Sequence, residues 1–378
     1  MLESLKIEPK SGGLFLKDKT RQISLHPLWV RERVRDARVF DPLNNQRLYE
    51  PAELHPEMEI KRVISHNDNQ IELEFSDGEH FSVPLGRLLK EIGWVEDGEE
   101  PPTPQSWTTA LKDRPEADWA ELDDPDRLKT MLGGFLRYGF CIMQNTPTNR
   151  NDLLKLASRF GYVRDTNWGK IFNVEKKNNA TDLAYTDRAL PSHTDNPYRE
   201  PVPGLQFLHC LANDVPGGLS TLVDGIAITE RLAQEEPEQA ALLETIHVRF
   251  RYEGSTAILE SHAPIVERDH RGIVYRMRLS SRVDYVPALD KATLDLFYAA
   301  RRRLFELSND PEFQIKFPFK KGTLLMMDNY RLLHGRTAFD GSKGYRHLQG
   351  CYTDHDGVTS LYRMLANGGQ LTSVPSEE

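Results

Sequence analysis

The chain has 378 residues, of which 39% are hydrophobic and 28% charged, a composition typical of a soluble globular protein with room for a large and a small domain. We expect no membrane span or signal peptide, because long apolar runs and an apolar N-terminal segment are missing. The net charge of −9 argues against nucleic-acid binding, and three scattered cysteines exclude a disulfide framework and favour the cytoplasm.

Residues 60–85 predict paired β-strands. The runs IKRVISH, QIELEF and EHFSVPL alternate apolar and polar residues and are separated by NDN and SDG. Asp-Gly between alternating runs is a hairpin signal. The next distinct stretch, EDGEEPPTPQS, is acidic, rich in proline and unable to pack, so it predicts a linker. We therefore expect a small β-rich domain at 1–95, a linker at 96–106 and a second domain at 107–378.

The second domain is predicted to contain more strands than helices. DPDRLKTMLGGFLRYGF has a helical apolar pattern that ends near Gly139, CIMQN is typical of a buried strand, and NRNDLLKLASRFG predicts a short helix. The rest consists mainly of short strands and turns, interrupted by the helices GIAITERLAQEEP and DKATLDLFYAARRRLFELS. This pattern favours a mainly β fold, either a sandwich or a jelly-roll barrel.

The stretch ALPSHTDNPYREP contains candidate metal ligands. Side chains two residues apart in a strand point to the same side, so His193 and Asp195 would direct an imidazole and a carboxylate at one point. His334, which follows the apolar strand GTLLMM, is the third candidate. Two histidines and one carboxylate leave positions open on the metal, as in the facial triad of non-haem Fe(II) oxygenases.

The chain contains a second His-x-Asp pair with the same spacing. His66 and Asp68 lie at a predicted hairpin turn in a polar context, so we interpret them as a turn sequence. The pair at 193 and 195 differs because apolar strands and further functional candidates follow it.

Arg346 opens the strand RHLQGCY, twelve residues after His334. A planar guanidinium that points inward can form a two-point bond with a carboxylate. Such an arginine beside a metal with open positions suits a 2-oxo acid, whose keto acid group would bind the metal and whose other carboxylate would bind Arg346. The alternative role for Arg346 is a surface salt bridge.

Together these motifs resemble the 2-oxoglutarate/Fe(II)-dependent oxygenases. PGLQFLHCL, GGLSTLVDG, DNYRLLHGR and RHLQGCYTD resemble in particular the γ-butyrobetaine dioxygenase and trimethyllysine dioxygenase group, over about residues 110–365. The resemblance implies a double-stranded β-helix, Fe(II), the co-substrate 2-oxoglutarate, O2 and a homodimer. It also implies that Thr221 contacts 2-oxoglutarate. Because position 195 is a carboxylate and not a small residue, it implies hydroxylation and not halogenation.

One departure from the family concerns the small domain. Relatives of the γ-butyrobetaine type carry a cysteine-rich zinc site after a W-L-R-D-N-C motif, whereas this chain has LWVRERVRDARVFDP and no cysteine before residue 140. Because thiolates are required for such a site, we expect no structural zinc.

The resemblance also implies where the substrate binds. A trimethylammonium group would contact an aromatic cage, because its diffuse positive charge is attracted to aromatic faces. The residues at the cage positions are Trp168, Phe172, Tyr185 and Tyr352. The alternative is that these rings belong to the core.

The other end of the substrate is expected to be anionic. The segment YRMRLSSRVDY contains Arg276, Arg278, Ser280, Ser281 and Arg282, where γ-butyrobetaine dioxygenase is rich in asparagine. Many donors and positive charges suit a phosphonate, so the sequence favours the 2-(trimethylammonio)ethylphosphonate dioxygenase type. Asn196 and Arg199 are further candidates for this end of the substrate. The period of two places only some of these residues on one face, and the others would face solvent.

Other functions remain open at this point. Two histidines and an aspartate also suit a Zn(II) hydrolase, and a jelly roll without activity could bind a quaternary amine. Within the oxygenases, γ-butyrobetaine is the main alternative substrate. Trimethyllysine is disfavoured, because the sequence offers no additional acidic pair for an α-amino group.

Overall fold

The polypeptide divides into two units in the computed structural model, Met1–Gly98 and Glu99–Glu378. The boundary lies within the stretch predicted as a linker. The structure describes residues 5–96, 98–175 and 186–369.

The first unit consists mainly of short antiparallel strands. Its elements are β1 (Lys6–Lys10), β2 (Gly13–Lys17), β3 (Gln22–Leu25), α1 (Pro27–Arg31), β4 (Phe40–Asp41), β5 (Gln46–Arg47), β6 (Ile60–His66), β7 (Gln70–Phe75), β8 (His80–Pro84) and α2 (Leu85–Glu91), with a 3-10 turn at Pro51–Glu53. Two three-stranded sheets, β1-β2-β3 and β6-β7-β8, share one apolar core. Alternate residues of β2 and β7 point into that core and are fully buried: Leu14, Leu16, Ile71 and Leu73.

Arginines and aromatic rings pack together where the resemblance would place a zinc site. The Arg31 side chain is only 5% exposed, and its guanidinium carbon lies 3.8 Å from the centroid of the Phe81 ring. Arg33 lies over Trp29 at 3.7 Å and Arg35 over Phe40 at 4.1 Å. The contact between Arg31 and Phe81 therefore connects the segment 28–42 to the core of this unit, while the other two contacts lie within the segment.

Among its described residues, the second unit combines most of the strands with six helices. Its elements are β9 (Glu116–Asp118), α3 (Pro125–Tyr138), β10 (Phe140–Gln144), α4 (Asp152–Ser158), β11 (Phe172–Glu175), β12 (Leu190–His193), β13 (Leu205–Asn213), β14 (Ser220–Asp224), α5 (Gly225–Glu235), α6 (Pro237–Thr245), β15 (Val248–Glu253), β16 (Ile258–Ala263), β17 (Val266–Arg268), β18 (Val274–Met277), β19 (Asp284–Tyr285), α7 (Lys291–Asn309), β20 (Gln314–Phe317), β21 (Leu324–Asp328), β22 (Leu332–Arg336), β23 (Arg346–Thr353) and α8 (Asp356–Ala366), with a 3-10 turn at Trp119–Glu121. The predicted mainly β class with helices is therefore confirmed.

Two sheets form the centre of this unit. The larger has the order β11-β23-β13-β21-β10-β9 and the smaller the order β12-β22-β14-β20. From β11 to β14, and again from β20 to β23, consecutive strands alternate between the two sheets. Side chains from both sheets therefore converge on the space between them.

Strand β21 shows how the apolar pattern builds the layers. Leu324 and Met326 pack on one side against helices α3, α4 and α8, while Leu325 and Met327 face the four-stranded sheet. The segment between β14 and β20 adds a third core, built mainly from α5 to α7 and β15 to β18. Both faces of β21 are buried, which agrees with its continuous apolar sequence.

Helix α3 agrees with its prediction and has capping residues at both ends. Helix α3 begins after Asp124, whose carboxylate accepts from the N–H of Asp126, and it ends at Gly139 with φ 82°. Helices α1, α2, α6 and α8 were not predicted. No helix in the three described ranges is both long and apolar enough to span a membrane.

Replacement of Arg31 tests whether the arginine–aromatic packing stabilises the first unit. We expect Arg31→Ala to lower the free energy of unfolding by about 2 kcal/mol, because it removes the cation–π contact and leaves a cavity. Arg31→Met, which keeps most of the buried stem, should cost less. Urea unfolding of the full chain measures both changes.

The control for this experiment is Arg62→Ala. Arg62 forms an ion pair with Glu74 on the surface of the same unit, and its side chain is 65% exposed. Its loss should change stability by less than about 0.5 kcal/mol. Equal effects of Arg31→Ala and Arg62→Ala would contradict a stabilising role for the buried guanidinium.

Candidate metal centre

The two histidines of the predicted triad lie directly opposite each other on adjacent strands. His193 of β12 pairs with His334 of β22 in antiparallel register, and the centroids of their rings are 4.4 Å apart. Because directly paired residues point to the same side of a sheet, both imidazoles face the space between the two sheets.

Asp195 completes the group, although not in the way that the sequence predicts. Strand β12 ends at His193, so the alternation of a strand does not set the direction of Asp195. One carboxylate oxygen lies 3.2 Å from Nε2 of His193 and the other lies 3.8 Å from Nε2 of His334. Within the described ranges, these three residues form the one group of this kind, with ligand atoms all within 4.8 Å of one another.

The chemistry of the donor set fits a divalent transition metal. Neighbouring ligands of one ion lie roughly 3 Å apart when each metal–ligand bond is about 2.1 Å. Two imidazole nitrogens and a carboxylate on one side of a cavity match the donor set of non-haem Fe(II) sites. These residues could therefore hold ferrous iron.

Both histidines can offer a lone pair through Nε2. Nδ1 of His193 lies 2.9 Å from the carbonyl oxygen of Pro191, which can only accept, so Nδ1 carries a proton. Burial is the main cause that lowers the pKa of His334 to about 3, and the nearby His193 is the second. The His334 ring is therefore neutral at pH 7, as a metal ligand must be.

Two donors hold the second oxygen of the Asp195 carboxylate. Nε2 of Gln206 donates to Oδ2 at 2.6 Å, and the hydroxyl of Tyr352 donates to the same oxygen at 2.7 Å. Gln206 and Tyr352 are paired across β13 and β23, so both donors project from one side of the sheet. Burial opposes ionisation of Asp195, but the neighbouring His334 and His193 outweigh it and lower the pKa of the carboxyl group.

A cavity of about 80 Å³ extends from the triad to Arg346. Arg346 is the first residue of β23 and is 5% exposed, and its Nε has no hydrogen-bond partner among the described residues. A buried guanidinium in a cavity suits an anionic ligand. Ser220 lines the same cavity, whereas its neighbour Thr221, the residue predicted to contact 2-oxoglutarate, is not part of the lining.

The predicted aromatic cage falls into two groups. Phe172 and Tyr352 stack with ring centroids 5.2 Å apart, and Tyr352 is the residue that donates to Asp195. Trp168 instead contacts Tyr252 at 5.2 Å, and Tyr252 stacks on Tyr198 at 5.3 Å. Tyr185 lies outside the described residues.

The predicted anion clamp is largely engaged elsewhere. Arg276 and Arg278 both form ion pairs with Glu267, and Arg278 also contacts Glu200 at 3.2 Å. Their charges are therefore compensated within the protein. Of the rest of the segment, Ser280 is buried, whereas Ser281 and Arg282 are exposed.

Asn196 directly follows Asp195 in the chain, and Arg199 lies three residues further on. Oδ1 of Asn196 accepts from the hydroxyl of Tyr198 at 2.7 Å, while its Nδ2 is buried without a partner in the described ranges. The guanidinium carbon of Arg199 lies 5.9 Å from the centroid of the Trp168 ring, and Nη2 donates to Asn167. No ion pair with a described carboxylate is formed by Arg199, and burial lowers the pKa of its guanidinium.

The sequence did not reveal several residues of this region. Gln206, which donates to Asp195, was not identified from the sequence. An amide within the apolar run GLQFLHCL is the signal that could have indicated a strand residue facing a polar site. Tyr252 and Glu267 are far from the triad in the sequence. Only the folded structure shows that Tyr252 contacts Trp168 and that Glu267 pairs with Arg278.

Known proteins provide an independent comparison. The family described as taurine catabolism dioxygenase TauD, TfdA family matches residues 100–352. The γ-butyrobetaine dioxygenase of Pseudomonas sp. (strain AK-1) is 32% identical over 344 residues, which cover 90% of each chain. The mitochondrial trimethyllysine dioxygenase of Rattus norvegicus is 28% identical and covers 89% of this chain and 82% of that protein. Among solved structures, asparagine oxygenase superposes with a TM-score of 0.49 at 18% identity, over 65% of this chain and 87% of that one.

The metal group can be tested with the two His-x-Asp pairs of this chain. We expect the wild-type protein to bind one Fe(II) per chain, and Asp195→Ala to weaken that binding roughly tenfold or more, because a charged ligand is lost. Anaerobic isothermal titration with Fe(II) measures both.

Asp68→Ala is the matched control. His66 and Asp68 have the same spacing, but both are exposed and belong to no group of three ligands in the described part of the chain. This variant should bind iron like the wild type. If Asp68→Ala bound iron more weakly and Asp195→Ala bound it unchanged, the metal would be bound at His66 and Asp68, and the proposed triad would be wrong.

Proposed function

Because the chain belongs to the taurine catabolism dioxygenase TauD, TfdA family, and is an Fe(II)/2-oxoglutarate-dependent dioxygenase, we propose that it hydroxylates a CH2 group of a small trimethylammonium zwitterion. The preferred substrate is 2-(trimethylammonio)ethylphosphonate. The observation that carries the trimethylammonium part of this proposal is the stacked pair Phe172 and Tyr352 beside Asp195. Family membership also excludes the zinc hydrolase and the binding module without activity.

The metal and the co-substrate would be held by four residues. His193, Asp195 and His334 would bind Fe(II), and Arg346 would bind the distal carboxylate of 2-oxoglutarate. With 2-oxoglutarate and O2, the iron supplies the oxidising chemistry that hydroxylates an aliphatic C–H bond. The chain itself supplies two imidazoles, a carboxylate held by Gln206 and Tyr352, and a buried guanidinium in a cavity of about 80 Å³.

Aromatic rings would bind the cationic end of the substrate. A trimethylammonium group cannot donate hydrogen bonds, and each aromatic face contributes roughly 0.5–2 kcal/mol when water is excluded. Phe172 and Tyr352 offer such faces next to the ligands, and Tyr185 would add a third. Trp168, which packs against Tyr252, would contact the substrate as a fourth ring.

Arg199 would bind the anionic end. No described carboxylate forms an ion pair with Arg199. Arg276 and Arg278, in contrast, pair with two carboxylates, Glu267 and Glu200. A partly buried cation without a carboxylate partner favours an anionic ligand. Asn196, whose buried amide nitrogen has no partner in the described ranges, could donate a further hydrogen bond. Of the predicted residues in the segment 275–285, Ser280 and Arg282 would also bind the anionic end of the substrate.

γ-Butyrobetaine is the second candidate substrate. It is favoured by the relative from Pseudomonas sp. (strain AK-1), which is 32% identical and is named for it. A carboxylate and a phosphonate would occupy the same position at Arg199 but differ in charge and in the number of acceptor oxygens.

Several wider predictions accompany this proposal. The strands that alternate between the two sheets support a double-stranded β-helix in the catalytic domain at 107–378, which follows a β-rich domain at 1–95. A homodimer in the cytoplasm is the assembly and location that we propose.

Replacement of Arg346 should separate co-substrate binding from metal binding. Fe(II) and 2-oxoglutarate together should give a weak visible charge-transfer band under anaerobic conditions. In Arg346→Met, we expect the 2-oxoglutarate concentration that gives half of the maximum absorbance of this band to rise roughly tenfold or more, because a charge-assisted bond is lost. Fe(II) affinity should not change. An unchanged 2-oxoglutarate requirement would contradict the role of Arg346.

Succinate release across a substrate panel tests the proposed substrate. Trimethylammonium phosphonates and carboxylates are compared, and we expect the highest kcat/KM for 2-(trimethylammonio)ethylphosphonate. Arg199→Gln should raise KM for the phosphonate roughly tenfold or more, because a charged hydrogen bond contributes about 1.5–3 kcal/mol.

Arg276→Gln distinguishes the two positions proposed for the anion. Because Arg276 pairs with Glu267, we expect its replacement to leave KM unchanged. Turnover of γ-butyrobetaine alone would reject the phosphonate preference, and a larger effect of Arg276→Gln than of Arg199→Gln would return the anion to the segment 275–285.

A further inference from the structure

Asn329 connects the two parts of the chain that contribute the metal ligands. It lies between β21 and β22, five residues before His334, and its side chain is fully buried. Its Oδ1 accepts from the backbone N–H of Asp195 at 2.8 Å, and its Nδ2 donates to the backbone carbonyl of Asp195 at 3.0 Å. The same Nδ2 donates to the carbonyl of Pro203 at 2.9 Å.

These bonds replace what a neighbouring strand would provide. Strand β12 ends at His193, and Asn196 adopts a left-handed conformation with φ 52°, so the backbone turns away at Asp195. A buried backbone N–H and C=O outside a sheet require other partners. One amide side chain satisfies both groups of Asp195, in the way that a peptide group of an adjacent strand would.

We propose that Asn329 is a positioning residue for the iron site, which fixes Asp195 relative to His334. This inference rests on the proposed roles of His193, Asp195 and His334. Asn329 and His334 belong to one short segment, so each bond from Asn329 to Asp195 also fixes the distance between the two ligands. Gln206 and Tyr352 orient the carboxylate, whereas Asn329 places the backbone from which the carboxylate extends.

A purely structural role would have different consequences. Removal of a structural hydrogen bond lowers the stability of the fold but leaves iron affinity unchanged in the protein that is folded. Loss of a positioning residue weakens iron binding in folded protein, because the ligands no longer converge without rearrangement.

Asn329→Asp is the sharpest variant. It keeps the size and the acceptor oxygen for Asp195 N–H, but it replaces the donor Nδ2 with an oxygen that faces two carbonyl groups. The matched control is Asn213→Asp, because Nδ2 of Asn213 also donates to a backbone carbonyl, that of Phe319 at 2.8 Å, in the same unit. Asn329→Ser serves as a second variant that retains a smaller hydrogen-bonding group.

The measurements are anaerobic Fe(II) titration, the visible spectrum of the Co(II)-substituted protein and thermal unfolding of the full chain. We expect Asn329→Asp to raise the Kd for Fe(II) roughly 10- to 100-fold and to change the Co(II) spectrum. Asn213→Asp should bind Fe(II) within about twofold of the wild type.

The inference would be overturned if folded Asn329→Asp, or folded Asn329→Ser where the first variant does not fold, bound Fe(II) within twofold of the wild type. Failure of both variants to fold would also overturn it, because Asn329 would then serve the fold. A wild-type chain that binds no iron would instead reject the proposed metal ligands, so the two failures are distinguishable.

Discussion

Asp195 carries a largely buried negative charge, and the arrangement of the catalytic unit around it compensates for the loss of water. A carboxylate removed from solvent is costly unless donors or cations replace its hydration. Gln206 and Tyr352 donate to one oxygen, and the imidazoles of His193 and His334 lie next to the group. Because those partners come from four different strands, the carboxylate is satisfied only when both sheets have folded.

The topology explains how distant residues converge. Strands that alternate between the two sheets bring β12 and β22 side by side in one sheet, and β13 and β23 side by side in the other. The histidines project from the first pair, and the donors to Asp195 project from the second. Arginines outside the metal group are compensated by carboxylates: Glu267 and Glu200 together pair with Arg276 and Arg278. Arg346 remains as a cation directed into the cavity.

Local patterns in the sequence predicted much of the fold. The hairpins at 60–85 and helix α3 have clear periodicity and turn or capping residues, and the structure contains them. Helix α6 was missed because PEQAALLET lacks a clear apolar face. The triad was also predicted, but the physical reason was incomplete, since Asp195 lies beyond the strand. Asn329, Gln206 and Glu267 were missed because their roles depend on partners from other strands and loops, which spacing along the chain does not reveal.

The segment 225–313 enters and leaves the catalytic core at neighbouring points. It follows β14 and precedes β20, and these strands are antiparallel partners with Val223 opposite Gln314. Tyr252, Glu267 and Arg276 belong to this segment, whereas His193, Asp195 and His334 do not. The segment therefore packs around the site, with Tyr252 against Trp168 and Glu267 paired with Arg276, whereas the strands that carry the two histidines lie outside it. Because both ends of the segment meet on paired strands, its length can change without displacing the strands that carry His193 and His334.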